Sequence, residues 1–144
     1  MTSFAEVTVR IEFDAGHRVP SHHGKCRNLH GHRYTALVTL RGVVPEDGMV
    51  VDFGIAKEVM KEWIDEHYDH GMVLQRGDTL PGAAEPLAEL LQACGQKVHE
   101  MDEPPTAENM AAQLFSVAEE LLPDVTVVKV RLYETPNFYA EVRL

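Results

Sequence analysis

The sequence predicts an α+β fold: an antiparallel four-stranded sheet with helices packed on one face, in the order β-β-α-(α)-α-β-β. Two runs of alternating apolar and polar residues lie near the N-terminus and two more close the chain. Between them, apolar residues recur at helical spacing. Strand pairs at both ends, each with one apolar face, need helices laid over that face.

The first strand carries Val7, Val9, Ile11, Phe13 and Ala15 on one side and Glu6, Thr8, Arg10, Glu12 and Asp14 on the other. The second, from about Arg33 to Arg41, puts Tyr34, Ala36, Val38 and Leu40 on one face, with Leu37 the exception on the other. Pro45–Gly48 ("PEDG") reads as a turn. Asp52 then caps a helix running to about His67, with Ile55, Val59, Trp63 and Ile64 as its apolar stripe. A weaker helix spans about Glu85 to Ala93, with Leu87, Leu90, Leu91 and Cys94 along one side. A third starts at Thr106 as N-cap and carries Met110, Leu114, Val117 and Leu121. The closing hairpin puts Thr126, Val128, Val130 and Leu132 on one face and Phe138, Ala140, Val142 and Leu144 on the next, turning at Thr135–Asn137.

A chain of 144 residues suits one domain spanning residues 1–144. No long apolar run or signal-peptide pattern is present, so no membrane association and a cytoplasmic location are expected. The two cysteines are too few for a disulfide framework. A formal net charge of −10 argues against nucleic acid as a partner. Five of the eight histidines fall between His17 and His32, and that clustering directs attention to one place.

Strand parity says what the clustering means. His17 continues the apolar face of the first strand past Ala15, and His32 and His30 continue the apolar face of the second backward from Tyr34. If the two strands pair, three imidazoles meet at one sheet edge, with Gly31 letting the backbone pass closely. Three imidazoles suit a metal of the catalytic kind, with an open position. His22 and His23 lie in the connecting loop and are expected to face solvent or lie behind the ligands. Cys26 admits two readings from spacing: a fourth ligand closing the site, or a free thiolate beside the metal. Cys94 continues an apolar stripe and is expected to be a buried small hydrophobe. Glu134 continues the face of Val130 and Leu132, so it lies either at the wet end of a strand or in a site. Asp69 and His70, in "YDHG", form a pair in which a carboxylate can orient an imidazole.

These segments together resemble the 6-pyruvoyltetrahydropterin synthase / 6-carboxytetrahydropterin synthase family over nearly the whole chain. "FDAGHR" (Phe13–Arg18) is similar to the family's first zinc-histidine segment, "CRNLHGH" (Cys26–His32) to its nucleophile and two-ligand motif, and "YDHG" to its Asp-His pair. "PTAEN" (Pro105–Asn109) and "YET" (Tyr133–Thr135) are similar to its pterin-binding stretches. The resemblance implies Zn2+ on His17, His30 and His32, with Cys26 a catalytic acid/base and Asp69 and His70 its relay partners. It implies Glu134 as the residue gripping the 2-amino-pyrimidine edge of the substrate, with Thr106 and Glu108 lining the same pocket. It also implies the tunnelling fold (T-fold), a hexamer of two trimers, and 7,8-dihydroneopterin triphosphate as substrate. The Cys-x3-His-Gly-His spacing resembles the bacterial 6-carboxytetrahydropterin branch of queuosine synthesis, which releases acetaldehyde and triphosphate. The competing functions are the pyruvoyl reaction and a non-catalytic zinc-stabilised module. Arg76–Glu103 is longer than the family's usual connector, and Tyr68 stands where the family often has an aliphatic residue.

Overall fold

The computed structural model describes residues 2–144. In chain order the elements are β1 (Phe4–His17), β2 (His30–Val43), α1 (Phe53–His67), β3 (Gly71–Gln75), α2 (Leu87–Ala93), β4 (Val98–Met101), α3 (Ala107–Leu121), β5 (Thr126–Thr135) and β6 (Phe138–Arg143). The α+β class is as expected. The sheet, however, is six-stranded and mixed rather than four-stranded and antiparallel, in the order β4-β3-β1-β2-β5-β6.

The four expected strands form its antiparallel part. The two additional strands, β3 and β4, lie parallel to their neighbours beyond β1. Their sequences hide them because both faces are covered. Val73 and Met101 join the main core, whereas Leu74 joins a second small core with Leu87 and Ala88 of α2 and with Met72, Leu91 and Val98 around it. A strand buried on both sides has no alternation to read. The helices therefore do not all share one face: α1 and α3 serve the main core, and α2 builds the second one.

Packing also corrects finer expectations. Asp52 does cap α1, accepting from the Ile55 N–H at 3.1 Å, but the buried stripe is Ala56, Met60 and Ile64; Ile55 is exposed. Cys94 is exposed at the end of α2 rather than buried, because the short helix buries only Leu87 and Ala88. In β5 a register shift opposite Thr39/Leu40 inserts one residue, so Val127 shares the buried face with Val130 and Leu132 and Val128 drops out. Leu121 and Phe138 are exposed at element ends.

Two features of this frame position the chemistry. Phe13 and Tyr34 stack at 5.0 Å directly beneath the histidine-bearing strand ends. Tyr68, whose ring lies 5.6 Å from that of Phe13, donates through Oη to Gln113 Oε1 at 2.6 Å, and His99 Nε2 donates to the same oxygen at 2.9 Å. Burial lowers the pKa of that His99 imidazole, which favours the neutral ring. Among the described residues no helix is long and apolar enough to cross a membrane.

Candidate metal centre and proton-transfer pair

Register delivers the histidines. His17 pairs directly with His30 across the β1–β2 ladder, and His32 sits opposite Ala15, two residues along on the same face. Their ligand-capable nitrogens all lie within 4.8 Å of one another. His17 is almost fully buried, whereas His30 and His32 are half-buried. Burial lowers the pKa of both His17 and His32, partly offset by the Glu134 charge, so the neutral, metal-ligating form is favoured.

The tautomers follow from the backbone. His17 Nδ1 is 2.7 Å from the Pro105 carbonyl, and His30 Nδ1 is 2.6 Å from the Asn28 carbonyl. A carbonyl only accepts, so each Nδ1 carries its hydrogen and each Nε2 presents a lone pair. Those two Nε2 atoms face each other at 3.0 Å. Two lone pairs at that distance repel unless a cation or a proton lies between them. His32 Nε2 is buried without a hydrogen-bond partner; Glu134 Oε1 is 3.2 Å away but poorly aligned. A tetrahedral ion with bonds of about 2.0–2.1 Å draws such donors to roughly this spacing. The residues present thus fit a metal held by three imidazoles, with backbone acceptors behind two of them, the usual support for metal-bound histidine.

Glu134 continues the face of Val130 and Leu132 up to this cluster, at a register shift where Tyr133 pairs with Tyr139 and Thr135 with Phe138. It is half-buried beside His32. Cys26 lies on a single helical turn, Lys25–Arg27, is half-buried, and is not part of the three-histidine cluster. His22 and His23 are exposed, as expected.

Asp69 and His70 lie where α1 gives way to β3. Asp69 Oδ2 accepts from His70 Nδ1 at 2.8 Å, and its Oδ1 accepts from the Asp14 N–H at 3.0 Å. Burial alone would raise the Asp69 pKa, but those two hydrogen bonds and the His70 and Lys97 charges bring it below the usual carboxylate range. The His70 N–H donates to the Asp14 carbonyl at 2.6 Å, which forces a left-handed backbone at His70 (φ 60°). The imidazole is left pointing outward and exposed, with Nδ1 occupied by the carboxylate and Nε2 free to exchange protons. His70 and His32 line one cleft of about 540 Å³, together with Arg33 and Lys97.

Thr106 and Glu108 lie at the start of α3. Thr106 is half-buried and its hydroxyl accepts from the Asn109 N–H at 3.2 Å as the cap of α3; it follows Pro105, whose carbonyl orients His17. Glu108 is exposed on the first turn of α3. Sequence reading missed the Pro105 and Asn28 carbonyls, since no residue type marks a backbone acceptor. It also passed over Arg18 and Asp78, a buried ion pair whose only signal was an arginine directly following His17.

Comparison with known proteins supplies the family and the fold. The family described as 6-pyruvoyl tetrahydropterin synthase matches residues 6–144. A relative from Rickettsia bellii, named 6-carboxy-5,6,7,8-tetrahydropterin synthase, is 42% identical over 142 residues, covering 94% of this chain and 97% of its own. An uncharacterized protein of Wolinella succinogenes superposes with a TM-score of 0.80 at 25% identity, covering 98% of both chains. The 6-pyruvoyl tetrahydropterin synthase of Caenorhabditis elegans does so with a TM-score of 0.71 at 25% identity, covering 99% of this chain and 96% of that one.

Proposed function

This chain belongs to the 6-pyruvoyl tetrahydropterin synthase family, and from that premise we propose that it is a 6-carboxy-5,6,7,8-tetrahydropterin synthase. Its substrate would be 7,8-dihydroneopterin triphosphate and its products 6-carboxytetrahydropterin, acetaldehyde and triphosphate, in 7-deazaguanine (queuosine) synthesis in the cytoplasm. The observation that carries the reading is the pair of Nε2 lone pairs held 3.0 Å apart by backbone acceptors; the oriented Asp69–His70 pair supports it. The branch is supported by the name of the Rickettsia bellii relative.

Zn2+ is the metal we assign to His17, His30 and His32; when bound it supplies Lewis-acid polarisation of substrate oxygens. Cys26 accepts and returns protons at the substrate side chain. His70 moves protons through Nε2, while Asp69 holds Nδ1–H and stabilises the imidazolium that forms. Each such group is worth about 10²–10⁴-fold in rate. Glu134 can accept two parallel N–H bonds from the 2-amino-pyrimidine edge of a pterin, which fixes the ring beside His32. Thr106 and Glu108 complete that pocket at the start of α3. Assembly as a homohexamer of two trimers is consistent with the charged sheet face bearing Arg10, Glu12 and Arg33.

Incubation with 7,8-dihydroneopterin triphosphate and mass analysis of the pterin tests the proposal. A 6-carboxy product with acetaldehyde is expected. A 6-pyruvoyl product would move the protein to the other branch, and absence of turnover with metal bound would overturn the enzymatic reading.

A further inference from the structure

Arg18 and Asp78 form a bidentate ion pair, Nε to Oδ2 at 2.6 Å and Nη2 to Oδ1 at 3.0 Å. Arg18 is 8% exposed and Asp78 9%. Burying two charges is costly, and an apolar pair of similar volume often serves stability as well or better. The geometry shows what the charges do instead. The third arm of the guanidinium, Nη1, donates to the Arg27 carbonyl at 2.8 Å. Next to it, the Val19 N–H donates to the Cys26 carbonyl at 2.9 Å. Two consecutive carbonyls, those of Cys26 and Arg27, are therefore held, while Ser21 to Lys25 are exposed.

The other end of the clamp is anchored as firmly. The Asp78 N–H donates to Gln75 O at 3.1 Å, and its carbonyl accepts from Leu87 N at 2.8 Å, so its place is set by the end of β3 and the start of α2. β3 in turn pairs with β1 at His17 through Val73. A planar guanidinium is the one side chain that can grip a carboxylate with two arms and a carbonyl with a third.

We propose that Asp78 is a positioning residue for Cys26, acting through Arg18 and the Arg27 carbonyl. The inference rests on reading Cys26 as a proton-transfer group. It gives the long segment between β3 and α3 a role. That segment holds the thiol in register with the histidine cluster, since Arg18 follows ligand His17 directly.

The test is the double variant Arg18→Met/Asp78→Leu, which removes both charges and fills the space. Melting temperature and metal content should match the parent. The kcat should fall about 10–100-fold with KM nearly unchanged, because the reacting group is misplaced and not removed. Iodoacetamide labelling at one fixed pH, followed by peptide mapping, should show Cys26 reacting several-fold faster as its loop opens, with exposed Cys94 unchanged as the internal standard. Unchanged kcat and unchanged Cys26 labelling would overturn the proposal. So would loss of bound metal, which would place the clamp's action on His17. If the double variant does not fold, Asp78→Asn, which turns an amide N–H toward the guanidinium, is read by the same measurements, with Asp78→Glu expected to recover part of the loss. A parent protein without turnover would sink the reaction assignment, while the labelling would still decide whether the clamp holds Cys26.

Discussion

The two histidine sites of this protein are built on opposite principles. His17, His30 and His32 project from paired strand ends over a buried aromatic stack, and their geometry is complete within one chain. His70 sits on a left-handed turn, exposed, tied to the fold by one carboxylate and its own backbone N–H. On the proposed roles this difference makes sense: a ligand set must match a fixed polyhedron and sits on paired strands, whereas a proton-transfer group must reach a substrate and sits exposed on a turn.

The largest effect that can break this contrast is removal of a ligand. His17→Ala or His30→Ala should abolish metal binding by elemental analysis and cost more activity than the roughly 10–100-fold typical of losing only a ligand's orienting partner. A variant that kept its metal would show that the cluster is not the centre. Next, His70→Ala should lower kcat by about 10²–10⁴-fold while metal content stays at the parent level. Metal loss in that variant would join the two sites into one.

Stability sharpens the contrast further. Only His70 occupies a left-handed backbone among the non-glycine residues described. His70→Gly should therefore be more stable than His70→Ala by about 1 kcal/mol in denaturant unfolding, whatever their residual activity. Equal stabilities would mean that the turn carries no strain. The smallest effect concerns His99, which belongs to neither the three-histidine cluster nor the Asp69–His70 pair. Its folded pKa lies below its unfolded value near 6.5, so the unfolded chain binds more protons as pH falls through that value, and stability falls with it. His99→Gln should flatten that part of the stability–pH curve relative to the parent; an unchanged slope would remove His99 from the account.

How legible all this was in the sequence depends on which side of a strand water touches. β1 and β2 each have one wet face, and their alternation alone places His17, His30 and His32 on one side. β3 has no wet face, and Leu74 and Val73 bury in opposite cores, so the same rule had nothing to read. The bulge in β5 opposite Thr39 and Leu40 marks a second limit, since it moved Val127 inward against simple parity, whereas Glu134 kept the parity of Val130 and Leu132. The pairing of Asp69 with His70 was visible from adjacency, but the Asp14 backbone that fixes it comes from a strand more than fifty residues earlier in the chain. Asp78 was invisible for the same reason: its partner Arg18 is distant in sequence.

The carbonyls behind His17 and His30 carry a consequence for how the protein can drift. A point mutation exchanges side chains and leaves main-chain oxygens in place, so no single codon change at Pro105 or Asn28 deletes the acceptor that sets either ligand's tautomer. His70 has no such insurance, because one substitution at Asp69 erases its orienting group. On the proposed roles, the ligand tautomers should therefore persist longer than proton transfer under random mutation, and decayed copies of this gene should pass through a form that still binds metal and no longer turns over.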